Sequence, residues 1–208
     1  MKNIFLAAAI AASLSPAAAI AKTETAVVAG GCFWCVESDF DKLKGIISTT
    51  SGYAGGTIKN PTYDNHEGNQ EAVKVEFDSD VISYDKLIAG FLRTIDVTDA
   101  GGQFCDRGDS YISGIWTMDE KQKAAAEKAV KDAEVQLGKK IVTPVKAFTT
   151  FGDAEDYHQN YHLGTKRTLT RFGWIKQSEA YEKYREGCGR NEQVKSVWGK
   201  AAFTNPVK

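Results

Sequence analysis

Apolar positions along this chain alternate between a period of two and a helical period, and the changes of period mark out its elements. Thr25 to Ala29 is an apolar run that predicts a strand, and Phe33 to Leu43 is an amphipathic segment that predicts a helix. Gly45 to Tyr53 is a β-branched run broken by Gly52 and Gly55-Gly56. A polar loop leads to Ala72-Val73-Lys74-Val75-Glu76-Phe77, whose alternation predicts a half-buried strand. Ser83 stands where an N-cap is expected, ahead of Leu87, Ile88, Phe91, Leu92 and Ile95 at helical spacing. Residues 96–110 are irregular and rich in Asp and Gly, the composition of an active-site loop. Tyr111 to Met118 then predicts a strand, and Asp119-Glu120 opens a long Ala- and Lys-rich helix that stops at Gly138. Pro144 to Phe151 predicts another strand and Ala154 to His162 another short helix, while no period is sustained after Gly173. This imperfect alternation of strands and helices favours an α/β sandwich with mixed strand directions over a doubly wound parallel sheet.

The N-terminus stands apart from this pattern. Met1-Lys2-Asn3, an apolar run from Ile4 through Ala12 and the small residues Ala17 to Ala21 form the three regions of a secretory signal peptide, too short to span a bilayer. Cleavage after Ala19 or Ala21 is expected, with export to the periplasm, and residues 22–208 are expected to form one catalytic domain. A formal net charge of -1 with no basic run argues against nucleic acid and against an anionic membrane surface. A small molecule or a polypeptide suits this balance better. The cysteines, Cys32, Cys35, Cys105 and Cys188, are too few to replace a core, so they are read as chemistry, or chemistry plus one staple.

The chemistry begins at Gly30-Gly31-Cys32-Phe33-Trp34-Cys35. A cysteine between a strand and a helix sits at a helix N-terminus, where unpaired N–H groups favour a thiolate, so Cys32 is expected to be acidic and nucleophilic. Phe33 and Trp34 offer apolar surface for a small hydrophobic group, and Cys35, one helical turn on, is within disulfide reach. A thioredoxin-like exchanger would place a βαβ unit before this motif, and few residues precede Cys32. A metal site would need further ligands. His158 and His162 lie at i, i+4 without the adjacent carboxylate of a His-Glu-x-x-His motif, and are read as hydrogen-bonded or solvent-facing. The third reading is a thiol nucleophile assisted by acids and phenols from elsewhere: Tyr53, Glu71, Asp106 and Tyr111.

Gly31-Cys32-Phe33-Trp34 with Val36-Glu37 resembles the signature of the peptide methionine sulfoxide reductase A family. Ser51-Gly52-Tyr53-Ala54-Gly55-Gly56, Asn60-Pro61-Thr62-Tyr63, Gln70-Glu71-Ala72-Val73, Asp106-Arg107-Gly108 with Tyr111 and Ser113, and Ala154 to Tyr161 follow in the family's order. The resemblance implies that Cys32 is the nucleophile, that Phe33 and Trp34 hold the substrate methyl group, and that Glu71 protonates the sulfoxide oxygen. It implies that Tyr53 and Tyr111 bind that oxygen and that Asp106 completes the polar wall. It favours Cys188, in Gly187-Cys188-Gly189, as the thiol that first resolves the Cys32 sulfenic acid, with Cys35 the nearer alternative and a relay between them open. Cys105, next to Asp106, is a third candidate for that role, and the preferred reading of it is a small buried residue.

The implied activity is reduction of methionine S-sulfoxide, free or in oxidised proteins, recycled by a thioredoxin-like donor, with no bound cofactor or metal. The implied fold is α/β (α+β): a two-layer sandwich with a mixed sheet, a ferredoxin-like core and an irregular C-terminal tail. A general disulfide oxidoreductase, or a binding module with a structural disulfide, are the competing readings.

Overall fold

The period of two in strand β1 (Thr23–Ala29) divides its side chains between two faces. Ala26 and Val28 enter the main core, whereas Val27 and Ala29 join Ala54, Ala72 and Trp116 in a smaller cluster on the other face. In this computed structural model, which describes residues 22–204, the chain continues as α1 (Phe33–Phe40), β2 (Ile46–Ala54), β3 (Gln70–Asp78) and α2 (Tyr84–Leu92). The expected signal segment, 1–21, lies outside the described residues. Short strands β4 (Gly102–Gln103) and β5 (Asp106–Arg107) precede β6 (Gly114–Thr117), α3 (Glu120–Leu137), β7 (Val145–Ala147) and β8 (Phe151–Asp153). A hairpin, β9 (Arg167–Thr170) and β10 (Gly173–Lys176), leads to α4 (Gln177–Gly187) and α5 (Arg190–Trp198).

The main sheet runs in the order β7-β6-β1-β3-β2-β8. Its pairs are antiparallel except β6 with β7, so the sheet is mixed. Val73, Val75 and Phe77 of β3 face the helices beside Leu87, Ile88 and Phe91 of α2. The predicted strand from Pro144 to Phe151 is two strands instead, at opposite edges of the sheet. Five inter-strand gaps in a flat sheet would separate those edges by about 24 Å. The residues between Ala147 and Phe151 reach at most about 14 Å, so the sheet is curled to bring its edges together.

The tail departs most from expectation, since it is helical and not irregular. Arg185 and Arg190 are buried where a periodicity search registers polar surface, which hid α4 and α5. Val194 and Trp198 enter the main core, and the Trp198 indole donates to the Ile95 carbonyl at 3.0 Å. The helix expected over Ala154 to His162 is two separate 3-10 turns, Asp156–His158 and Tyr161–Leu163, so His158 and His162 do not share a helical face.

Candidate active site

Helix α1 begins at Phe33 because Gly31 turns the chain at φ +79, where a Cβ would lie 2.6 Å from the Gln103 Cβ. Cys32 is the N-cap residue, and its carbonyl accepts from the amides of Cys35 and Val36. The free amide of Phe33 is satisfied from the neighbouring strand: it donates to Glu71 Oε2 at 3.0 Å. Glu71 shares the core-facing side of β3 with Val73 and Val75, and Tyr53 lies opposite it in the β2–β3 register. Burial therefore raises the Glu71 carboxyl to about 8, against the Phe33 hydrogen bond, which lowers it. Asp106 and Cys35 add to the rise. At neutral pH this group carries its proton.

A cavity of about 60 Å³ is lined by Cys32, Phe33, Trp34, Tyr63, Glu71, Asp106, Tyr111 and Tyr184. It has the size of a small polar group with a methyl. A larger groove of about 620 Å³ lies beside Asp39, Lys42 and Arg185, and no thiol lines it. Trp34 is fixed at the small cavity from two sides. Its ring stacks on Tyr161 at 3.8 Å between centroids, and its Nε1 donates to His158 Nδ1 at 3.1 Å. Burial lowers His158 to about 4, so the ring is neutral and able to accept. His162 instead faces Asp41, at 3.2 Å, and Glu37 of α1. Burial opposes its protonation, but those carboxylates outweigh it and hold His162 at about 9.

Most of the expected site residues converge, and Tyr53 does not. It lies behind Phe33, 5.8 Å between ring centroids, and its hydroxyl donates to Glu155 at 3.4 Å. Glu155 also accepts from the Tyr63 amide at 3.0 Å, and Tyr63 takes the place at the cavity wall. Burial, with Glu71 and Cys32 close by, raises the Tyr63 phenol to about 12, and burial also raises Tyr111. Both remain neutral donors at neutral pH. Tyr184 donates to Asp106 Oδ2 in a short hydrogen bond. Asp106 stands above the usual carboxylate range through burial, which outweighs Tyr184, Arg190 and Arg171.

The cysteines depart from three expectations. Cys32, 7% exposed, and Cys35, 2% exposed, are free and share one buried cluster. Burial first, then Cys35, Glu71 and Asp106, push Cys32 well above the ordinary thiol value, so it is not the acidic thiol that its helix position suggests. Cys35 is lowered: burial pushes it up, but the hydrogen bond from Cys32 and the charges of Arg190 and Arg185 outweigh that. Arg185 bonds Asp39 at 2.9 Å and approaches the Cys35 carbonyl at 3.5 Å. Arg190, also buried, donates to the Gly30 carbonyl at 3.0 Å. Cys188, expected as a free resolving thiol, is bonded to Cys105, with 5.0 Å between their Cα atoms. Cys105 is exposed, not a small buried residue. Its Sγ lies 3.7 Å from Asp106 Oδ1, and these two sulfurs with Asp106 are the one metal-sized cluster among the described residues. Its sulfurs are joined and cannot act as thiolates.

Residues 24–198 match the family model described as Peptide methionine sulfoxide reductase. This chain belongs to that family. Peptide methionine sulfoxide reductase MsrA 2 of Rhizobium meliloti (strain 1021) is 46% identical over 192 residues, 91% of this chain and 90% of that protein. The solved methionine sulfoxide reductase A of Corynebacterium diphtheriae superposes with a TM-score of 0.65 at 28% identity, over 73% of this chain and 82% of its own. Mxr1 of Saccharomyces cerevisiae, solved in complex with Trx2, has a TM-score of 0.51 at 25% identity, over 67% of this chain and 85% of its own. Against the reductase signature, the residues that sequence reasoning missed are Tyr63, Tyr184, Arg185 and Arg190. Tyr181, Tyr184, Arg185 and Cys188 stand at i, i+3, i+4 and i+7, a helical stripe that carried the missing signal.

Proposed function

We propose that this protein reduces the S epimer of methionine sulfoxide through Cys32, with Cys35 as both its proton acceptor and its resolving thiol. The single observation that carries the assignment of roles is the pair of free, buried thiols, Cys32 and Cys35, packed in one cluster beside protonated Glu71 at the wall of a small apolar and phenolic cavity. Thiol-dependent reduction of methionine sulfoxide is the chemistry of the family.

The substrate methyl group rests on Phe33 and Trp34, and its oxygen points to Glu71 with Tyr63 and Tyr111 as further donors. Cys32 passes its proton to Cys35 as its sulfur attacks the sulfoxide sulfur, and Glu71 gives its proton to the oxygen. Neutral donors aimed at that oxygen gain strength as negative charge develops on it. The sulfur–sulfur bond then breaks as the hydroxyl passes to Cys32, leaving methionine and a Cys32 sulfenic acid. Cys35, now a thiol, condenses with the sulfenic acid to a disulfide and water, and the negative charge that began on Cys35 ends on Glu71. Two electrons from an external dithiol restore both cysteines.

A thioredoxin-like donor is supported by the Mxr1–Trx2 complex of the yeast relative. No bound cofactor enters these steps. Reading residues 1–21 as an export signal supports a periplasmic reductase domain, 22–208, that repairs oxidised envelope proteins. The strand order β6-β1-β3-β2 with α1 and α2 supports a ferredoxin-like core.

The test is mass spectrometry of the reduced protein after one equivalent of methionine sulfoxide without reductant. Stoichiometric methionine with a new Cys32–Cys35 bond is the expected result. A bond from Cys32 to Cys188 would overturn the role of Cys35, and absence of methionine would overturn the site.

A further inference from the structure

The β9–β10 hairpin has an inner and an outer face, and only the inner one is used by the fold. Ile175 points inward and packs on the cluster formed by Cys32, Cys35, Tyr161, Ala180 and Tyr181. On the outer face Leu169 and Trp174 stand directly opposite each other in register, 77% and 61% exposed. A cross-strand aliphatic–aromatic pair left uncovered by the described residues is unusual for a monomeric surface. Its cationic rim is equally one-sided. From Leu163 to Gln177 the sequence carries Lys166, Arg167, Arg171 and Lys176 and no carboxylate, in a chain whose formal net charge is -1. Those four residues are exposed.

The hairpin also leads to the cavity. At its tip the Arg171 guanidinium covers the Phe172 ring at 4.8 Å and lies 5.9 Å from the ring of Tyr184, a cavity-lining residue. A polypeptide whose sulfoxide side chain fills a cavity of about 60 Å³ must lay its neighbouring residues on the adjoining surface.

We infer that the outer face of this hairpin is the docking surface for polypeptide substrates, selecting an extended stretch in which carboxylates and apolar residues flank the oxidised methionine. The inference rests on the reading of the cavity as the sulfoxide site. Leu169 and Trp174 take the apolar side chains, and Arg167, Arg171 and Lys176 face the carboxylates. Free methionine sulfoxide fills the cavity without reaching Leu169 or Trp174, so the hairpin discriminates among peptides and leaves the small substrate untouched.

Single-turnover assays on the pre-reduced full chain, with no donor protein present, test this. Substrates are free methionine sulfoxide, a peptide with Leu and Glu around the sulfoxide, and the same peptide with Lys in place of Glu. The Glu peptide is expected to half-saturate at a concentration about fivefold lower than the Lys peptide. Leu169→Ser with Trp174→Ser, both at exposed positions, is expected to raise half-saturation for the Glu peptide about tenfold, with its maximal rate and free sulfoxide unchanged. Arg167→Glu alone is expected to narrow the preference between the two peptides.

Equal half-saturation for the two peptides, or equal losses on free sulfoxide, would overturn the inference. So would variants that change only donor-supported turnover, which would assign the face to the electron donor. Absence of methionine from every substrate with unsubstituted protein would overturn the site itself, and the docking surface with it.

Discussion

Two pairs of cysteines stand near each other in this fold, and their surroundings differ in every respect that governs thiol chemistry. Cys32 and Cys35 are buried, free and packed in one cluster, at the start of a helix held between the sheet and the tail. Buried guanidiniums, which outweigh the Asp39 carboxylate they pair with, stand on the Cys35 side, and Glu71 and Asp106 on the Cys32 side. Cys105 and Cys188 are bonded to each other across a sequence separation of 83, joining the loop that carries Asp106 to the end of the helix that carries Tyr184. The first pair therefore has a proton to move and a charge gradient to move it along. The second pair fixes two cavity-lining residues relative to each other. Spacing along the chain favours Cys35 as partner for Cys32, while the family resemblance favours Cys188. The proposal of Cys35 rests on this difference in environment.

The sharpest way to break the comparison is to remove one sulfur of the first pair at a time. Cys32→Ser is expected to abolish methionine formation, leaving no product above background in a discontinuous assay. Cys35→Ser is expected to release methionine once per chain, more slowly, and to stop there with Cys32 as a sulfenic acid that a carbon-nucleophile probe traps. Sustained turnover of that variant at the unsubstituted rate would move the resolving role to the second pair.

Glu71→Gln should come next in size, with a loss of about 10² to 10⁴ in the single-turnover rate, the usual range for a positioned general acid. The pH dependence gives a separate readout. The folded carboxyl titrates at about 8, so the proton needed on oxygen is present below that value and is lost as pH rises through it. The unsubstituted protein should lose rate on that alkaline limb, and the glutamine variant should lack the limb. Arg190→Gln probes the charge gradient. The alkylation midpoint of Cys35, followed by peptide mapping, should move upward, and the neutral-pH rate should fall about tenfold as the thiolate fraction drops. Arg190→Lys keeps the charge and should keep most of the rate. An unchanged midpoint in both variants would remove the guanidinium from the account.

How much of this was visible in the sequence depends on whether a residue's neighbours are local. Glu71 was legible: it stands at the start of an alternating strand, and the same alternation turns it toward the core beneath α1. Cys32 was legible as an N-cap position, but its titration was not, because burial raises it most, under cover from other elements, and Cys35, Glu71 and Asp106 add to the rise. Tyr53 was misassigned for a related reason: Glu155, 102 residues away, holds its hydroxyl. The tail was the least legible part. A periodicity of apolar residues cannot register helices whose buried positions include Arg185 and Arg190, balanced by Asp39 on a helix that lies far away in sequence.

The smallest expected effect on chemistry, and the most informative about the second pair, is that of Cys105→Ala with Cys188→Ala. Closing a long loop contributes about 2 to 4 kcal/mol of stability in a typical protein, chiefly by restricting the unfolded chain. The double variant should therefore unfold at lower denaturant concentration, with a steeper unfolding curve because the freed unfolded chain exposes more surface. Its single-turnover rate should stay within about twofold of the unsubstituted protein, because Tyr184 still donates to Asp106 and Arg185 still bonds Asp39, which keeps α4 over the cavity. Lost stability with retained methionine formation would assign the pair to scaffolding. A single-turnover rate that fell as far as in Glu71→Gln would show instead that the position of Asp106 depends on the bond, and the contrast between a chemical pair and a structural pair would give way to one redox unit of four sulfurs.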